Sequence, residues 1–470
     1  MAAPFVAGEA ALVRATFPNL DNDGIVDHIA DTATRIQGEV RDRIDAGAAV
    51  TTNPEPEASP SPTPTASPTP TPSATPTPTA TPTPTPATSS VQLNATVFPV
   101  SEGTNTATVV LTRTGDTSAV ASVGYVTSAG SQLDDCSVVN GIASARCDYT
   151  TSVGKVTFLG GETSKTIAIP IVDDAYGEGS ENFSISLNSP IGTSLGAASV
   201  AIVRINDNES STGNENPIDD ADFFVRQHYL DFLGREPDAA GLAFWIDQIT
   251  SCGADSQCRD IRRINSSAAF FLSIEFQETG YFVYRMHKAA YGNPQGEPVP
   301  IRLNDFIPDT REMSDGFVVL QPGWEQILDG NKVAFSAGFV ARPRFTAVYP
   351  QTMSNSAFVD TLNQNAGGVL SQVERDDLVN GLVQGTKSRA QVLRAVAEDP
   401  DLRSAELNRA FVLMQYFGYL RRNPNDAPDA NFDGYNFWLT KLNQFNGNFV
   451  NAEMVKAFLI SAEYRQRFGP

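Results

Sequence analysis

Residues 51–90 are almost wholly Pro, Thr, Ser and Ala in a near-alternating T-P-T-P pattern, and no other feature constrains the chain as much. Frequent proline fixes φ and removes backbone donors. With no large apolar side chain to bury, a packed fold cannot repay the ordering entropy. An extended, disordered linker is expected; at ~3.1 Å per residue its roughly 40 residues would reach about 120 Å. The run divides the 470-residue chain into a short acidic piece, 1–50, and a long part that must hold the folded domains.

The long part changes its period once. Residues 106–111 (TATVVL), 155–158 (KVTF), 166–171 (TIAIPI), 182–187 (NFSISL) and 199–205 (SVAIVRI) alternate with period two. Turn clusters such as R-T-G-D at 113–116 and L-G-G-E at 159–162 separate them, which predicts an immunoglobulin-like antiparallel β-sandwich over 91–209. Beyond a linker at 210–220, apolar residues recur at three-and-four spacing in Phe223, Phe224, Tyr229, Phe232 and Leu233, predicting a separate all-α domain over 221–470. The fold class is therefore multidomain: a sandwich plus a helical domain, joined to the N-terminal piece by the Pro/Thr linker.

The balance of 54 acidic against 33 basic side chains, a net charge of -21, argues against nucleic acid and for a cation as the guest. No run reaches the ~18 apolar residues of a membrane-spanning helix, so no such segment is expected. Residues 1–20 show neither a basic n-region nor a sustained apolar run, so no signal peptide is read there. Asp21-Asn22-Asp23-Gly24 with Asp27 echoes a calcium loop, but its twelfth place holds Thr32 where an EF-hand needs Glu. A turn followed by an amphipathic helix over 24–44 is the expectation.

Three histidines in separate segments, His28, His228 and His287, leave little for zinc or triad chemistry. The cysteines fall into two close pairs, Cys136 with Cys147 and Cys252 with Cys258, without C-x-x-C spacing. They read as two local disulfides of an exported protein; four buried free thiols in a reducing compartment are the alternative.

The acidic residues of the β region bunch in its turns: Glu102, Asp148, the loop D-D-A-Y-G-E-G-S-E with Asp173, Asp174, Glu178 and Glu181, and Asp207 after the last strand. Alternate loops of an antiparallel sandwich gather at one end, which would bring these groups together. Converging carboxylates raise one another's pKa and destabilise the fold unless a hard divalent cation joins them, and calcium takes six to eight oxygens. An acidic, solvated loop end is the competing expectation.

On the motifs V-S-E-G (100–103), C-D-Y-T (147–150), G-K-V-T-F (154–158), G-E-T-S-K-T-I (161–167), I-V-D-D-x-x-x-E-x-x-E (171–181), F-S-I-S-L (183–187) and I-N-D-N (205–208), the region resembles a Calx-beta domain. That resemblance implies calcium binding, with Glu102, Asp148, Asp173, Asp174, Glu178, Glu181 and Asp207 on the family's ligand positions. Where the family often ends in a run of aspartates, Asn206 and Asn208 flank a single Asp207, which implies fewer or weaker ions. A second departure is an insert between Gly130 and Asp148 carrying Cys136 and Cys147. A disulfide there would tie the insert to the strand presenting Asp148, worth roughly 3 kcal/mol in chain entropy.

The helical part contains a repeat. Residues 229–246 (YLDFLGREPDAAGLAFWI) and 416–439 (YFGYLRRNPNDAPDANFDGYNFWL) align Tyr229 with Tyr416, Arg235 with Arg422, Pro237 with Pro424, and Gly241 with Gly434. F-L-S-I-E-F (271–276) and L-I-S-A-E-Y (459–464) follow the two copies. The phrase F-L-G-R-E-P-D-x-x-G-L-x-F-W resembles a bacterial family of unknown function, DUF4214, itself similar to the phycobilisome linker domain; the likeness covers 222–276 and 408–469. A third, degenerate copy is read between Phe358 and Asp401. Pro237 should end one helix and Asp238 cap the next, with Phe244-Trp245 burying the turn. Arg235 and Arg422 read as structural ion-pair residues, since no His, Cys or Ser nucleophile accompanies both copies.

Together these features indicate a non-enzymatic, calcium-binding modular protein, exported, at the cell surface or associated with a membrane, with a protein or glycan partner for its helical domain. The alternative is an exported hydrolase of glycan or cell-wall material, because paired carboxylates hydrolyse glycosides without histidine.

Overall fold

The computed structural model describes residues 88–128, 136–209, 213 and 215–470. The N-terminal piece, with its loop and helix, and the Pro/Thr linker up to residue 87 lie outside the described residues.

Nine strands follow: β1 Ser90–Leu93, β2 Val97–Ser101, β3 Thr106–Thr114, β4 Ala121–Ser128, β5 Val153–Phe158, β6 Ser164–Pro170, β7 Glu181–Ile191, β8 Ser194–Leu195 and β9 Val200–Asn206. They form two sheets in the orders β6-β3-β1-β8 and β2-β9-β7-β4-β5, antiparallel except for the β1/β8 and β2/β9 pairs. Side chains alternate across the sheets, as the period-two pattern requires. Ala107, Val109 and Leu111 of β3, Phe183, Ile185 and Leu187 of β7, and Ala201, Val203 and Ile205 of β9 meet in one core. β4, β1, β2 and β8 escape the sequence reading because they are short or carry Gly124 and Pro99 inside them.

The connections β2–β3, β4–β5 and β6–β7 and the exit of β9 share one end of the sandwich. The first is a short 3-10 turn, Glu102–Thr104. The second contains the Cys136–Cys147 disulfide. Asp148 follows it in a turn and not on a strand, which corrects the sequence reading: an N–H from Ser144 caps its carboxylate, and regular pairing resumes only at Val153. Tyr149, next along, bridges to Ile171 and stacks on Phe183 with ring centroids 3.9 Å apart, which anchors the turn to the core.

Residues 217–470 are helical. In each repeat copy a helix widens into a single π turn, Tyr229–Leu233 and Tyr416–Leu420, ending on a left-handed residue, Gly234 (φ 72) and Arg421 (φ 54). Arg235 then makes a forked pair with Glu275 (2.6 and 2.8 Å), and Arg422 with Glu463 (2.6 and 3.0 Å). The recurring Tyr and Gly have a shared cause. A Cβ on Gly241 would lie 2.3 Å from the Tyr229 hydroxyl, and one on Gly434 would lie 2.7 Å from that of Tyr416, so only glycine lets the ring slide under the helix. Asp238 caps Ala239–Thr250 by accepting the Gly241 N–H at 2.8 Å. The Cys252–Cys258 disulfide joins that helix's exit to the next, Ser256–Leu272. The stretch between Phe358 and Asp401, read as a third copy, runs through three α-helices, Asn355–Ala366, Gln372–Gln384 and Arg389–Glu398, opened by Ser354, Ser371 and Ser388 caps, and carries no π turn.

The sandwich and the helical region are packed together. Arg226 donates to the carbonyls of Asn105 (2.8 Å) and Ile171 (3.1 Å), Val172 joins the helical core, and Arg467 donates to the Arg146 carbonyl at 2.9 Å.

Candidate metal centre

Five of the seven carboxylates named from the sequence fall in two clusters at the shared end of the sandwich, and the other two, Glu181 and Asp207, lie directly against them. One cluster is Glu102, Asp173 and Glu209; the other is Asp148, Asp174 and Glu178; in each, one oxygen per residue lies within 4.8 Å of the others. Asp173 and Asp174 are neighbours in an extended loop, so alternation sends one to each cluster. Glu181 starts the inward row of β7 and hydrogen-bonds Asp148 from the core side.

Asp207 is a member of neither cluster but lies against the first, in a side-chain hydrogen bond with Glu209. Its Oδ2 accepts the Glu178 and Gly179 N–H groups, each at 2.7 Å, and its Oδ1 accepts that of Glu209 at 2.7 Å. Burial raises its pKa, but these N–H bonds outweigh it and hold the group below the usual carboxylate range. Asp207 therefore ties the β6–β7 loop to the exit of β9. Glu209 takes the ligand-type place that the sequence reading had missed. The signal for it was the acid two residues past Asp207, since an aspartate bonded to the N–H two residues on is an Asx-turn and folds that side chain back. Asn208 donates to Asp173 Oδ1 at 3.1 Å, and Asn206 accepts from Ser180 at 3.2 Å, so both amides brace the site.

Electrostatically the site is crowded. Burial, then the carboxylates of Glu209, Asp148 and Asp173, push Glu102 up to about 8 against an opposing N–H bond from Asp174. Burial first, and neighbouring carboxylates second, also raise Asp148 and Asp174 well above the usual range and both Glu181 and Glu209 to about 7. Three buried oxygens, Asp148 Oδ1, Asp174 Oδ2 and Glu209 Oε2, have no hydrogen-bond partner. Orphaned oxygens in each of two all-oxygen clusters fit a hard cation, and their chemistry suits calcium or magnesium better than zinc or copper. An acidic cleft of about 550 Å³, lined by Asp173, Asp174, Glu209, Asp219 and Arg465 among others, reaches the site from solvent.

A pH dependence follows. Raised carboxylate pKa values mean that the folded metal-free clusters hold protons which the unfolded chain has lost, so the stability they contribute is full below about pH 4.5 and falls as pH rises toward 8. Chelator-treated protein followed by thermal melting should lose stability from about pH 6.5 to 8.5, above the range in which buried His228, pulled down to about 4, works in the opposite sense. A flat profile would mean that the clusters are fully hydrated.

Residues 86–209 match the family model "Calx-beta domain", and residues 208–280 match "Domain of unknown function (DUF4214)". No curated protein matches the chain. Among solved structures, the chain is 28% identical to the "apo-form Calx CBD1 domain" (26% of this chain, 99% of that one, TM-score 0.23). It is 29% identical to "calcium binding domain CBD12 of CALX1.1" (25% and 45%, TM-score 0.22). The second helical copy lies beyond the matched residues and is recognised by its π turn, its Arg–Glu fork and its Tyr/Gly contact. The chain thus carries, in this order, a β-sandwich of the Calx-beta type and a helical region that opens on a DUF4214 match.

Proposed function

We propose that this chain is a calcium-binding, non-enzymatic modular protein of the cell exterior, whose sandwich is stiffened by calcium and whose helical region contacts a protein or glycan partner. The observation that carries this reading is the pair of three-carboxylate clusters with orphaned buried oxygens. Glu102, Asp173 and Glu209 would hold one ion, and Asp148, Asp174 and Glu178 a second. Bound calcium supplies the positive charge that lets these groups ionise together.

The chain's own residues then transmit the effect. The loop bearing Asp173 and Asp174 continues into Ala175, whose N–H donates to the Phe468 carbonyl at 2.9 Å, and Tyr176, whose hydroxyl donates to that of Gln466 at 3.2 Å. Fixing the carboxylates therefore also fixes the seat of the C-terminal turn. The two formed disulfides support a setting outside the reducing cytoplasm. A binding role is supported by the repeat's charged motif, since Arg235, Glu275, Arg422 and Glu463 are consumed in pairs.

Calorimetric titration of calcium into chelator-treated full-length protein at pH 7, in two buffers of different ionisation heat, tests this. A saturable heat that depends on the buffer is expected, because binding expels the protons held by Glu102, Glu181 and Glu209. No heat, together with an unchanged melting temperature, would reduce the clusters to a solvated acidic end.

A further inference from the structure

Between the two repeat copies lies a cavity of about 20 Å³, room for one water-sized body. Its polar rim is Asp231, Thr310, Arg311 and Arg421, and the remainder is mostly apolar. Charge there is unequal: three guanidinium groups, with Arg467, face one carboxylate. Arg467 holds Asp231 on both oxygens, at 2.8 and 3.0 Å, while Arg421 Nε approaches it only to 3.9 Å. Arg311 has a single long bond, 3.4 Å from Nη2 to the Leu230 carbonyl, and Arg421 one of 3.5 Å from Nη1 to the Phe417 carbonyl. The Thr310 hydroxyl is buried without a partner. Burial, and next the neighbouring Arg421, pull Arg311 down to about 9, and burial pulls Arg421 to about 10. A buried cation, Arg421, and a half-buried one, Arg311, so poorly matched call for a counter-charge.

The repeat gives a second, independent argument. When Tyr229 is aligned with Tyr416, Arg421 occupies the place of Gly234, and both positions are left-handed. A side chain is disfavoured there, and strain retained at such a place points to a role for the residue that bears it. In the first copy the missing side chain serves the same end, because a Cβ on Gly234 would lie 0.7 Å from Arg311 Nη1. Equivalent positions of the two copies therefore each admit one guanidinium group to the same cavity, one by carrying it and the other by making room.

We propose that this cavity binds one small monovalent anion of chloride size, held by Arg311 and Arg421 with the Thr310 hydroxyl as a further donor. The cavity is too small for a phosphate, a sulfate or a carboxylate group. An anion here would lock the two copies to each other and to the helix Leu303–Met313, which carries Thr310 and Arg311.

The test is thermal unfolding of the full chain at constant calcium in sodium chloride, bromide and gluconate of equal ionic strength, followed by circular dichroism at the helix band. Chloride and bromide should raise the helical transition saturably by about 2–4 °C over gluconate. Arg421→Gly, which installs the first copy's residue at a left-handed position, should fold and lose that rise. A crystal grown in bromide should show an anomalous peak between Arg311 and Arg421. Equal melting of the native chain in all three salts, an equal chloride shift in Arg421→Gly, or a cavity without a bromide peak would each overturn the proposal.

Discussion

Replacing Asp148 and Asp174 together with asparagine is expected to remove the share of the calcium response carried by the cluster of Asp148, Asp174 and Glu178 and to stabilise the metal-free form of the sandwich. Both carboxyls are at most 5% exposed, and each leaves one oxygen orphaned. The bonds they do make need only an acceptor: Ser144 N–H to Asp148 Oδ2, and Tyr176 N–H to Asp174 Oδ1 at 2.7 Å. An asparagine oxygen keeps that acceptor. Its new N–H₂ faces carboxylates, Glu181 beside position 148 and Glu102 and Glu178 around position 174, where a donor is wanted. Replacing two crowded buried carboxyls, whose ionisation burial opposes, should therefore stabilise the metal-free protein by roughly 2 kcal/mol at pH 8, the lower end of what burying a mismatched polar group costs. Each ion should add about 2.7 kcal/mol to the native protein when calcium stands at ~100 times its dissociation constant, and the double variant should lose the contribution of the ion at its altered cluster. Melting curves of both proteins with calcium and with chelator measure all four quantities. If the double variant gained as much stability from calcium as the native protein, the cluster of Asp148, Asp174 and Glu178 would hold no ion.

Arg467→Met is expected to cost about 3–5 kcal/mol, because it leaves the Asp231 carboxylate buried without its partner. Arg467 is 1% exposed and sits three residues from the C-terminal end. It forks onto Asp231 and donates to the carbonyls of Gly418 and Tyr419 in the second repeat copy and of Arg146 in the sandwich. One side chain thus connects both repeat copies and the β-domain, and its loss should loosen the junction as well as the helical core. Adding Asp231→Asn should recover part of the loss by removing the orphaned charge, so a double-mutant cycle in denaturant separates the pair from its surroundings. A cost below ~1 kcal/mol for Arg467→Met would show that Asp231 is already compensated by Arg421, which lies 3.9 Å away.

Chemistry acting over a few residues could be read from the sequence alone. Period two marks the strands whose inward rows build the sandwich core, down to Glu181 leading the row of Phe183, Ile185 and Leu187. Asp238 caps its helix from three residues away, each cysteine finds the other of its close pair, and the duplicated R…P…G phrase marks two like helical units. Such signals survive in sequence because capping, alternation and short loop closure depend on near neighbours.

Tertiary structure alone decided what depends on distant groups meeting. It divided adjacent Asp173 and Asp174 between two clusters, turned Asp207 into a tether for backbone N–H groups, and brought Glu209 in beside it. It seated the C-terminal turn on the Ala175–Tyr176 corner and gathered Arg311, Arg421, Arg467 and Asp231, drawn from four segments, around one cavity. The pKa values follow the same division. A carboxylate's intrinsic acidity is a property of its residue type, whereas the rise of Glu102 to about 8 comes from burial and from charges contributed by loops far apart in the chain.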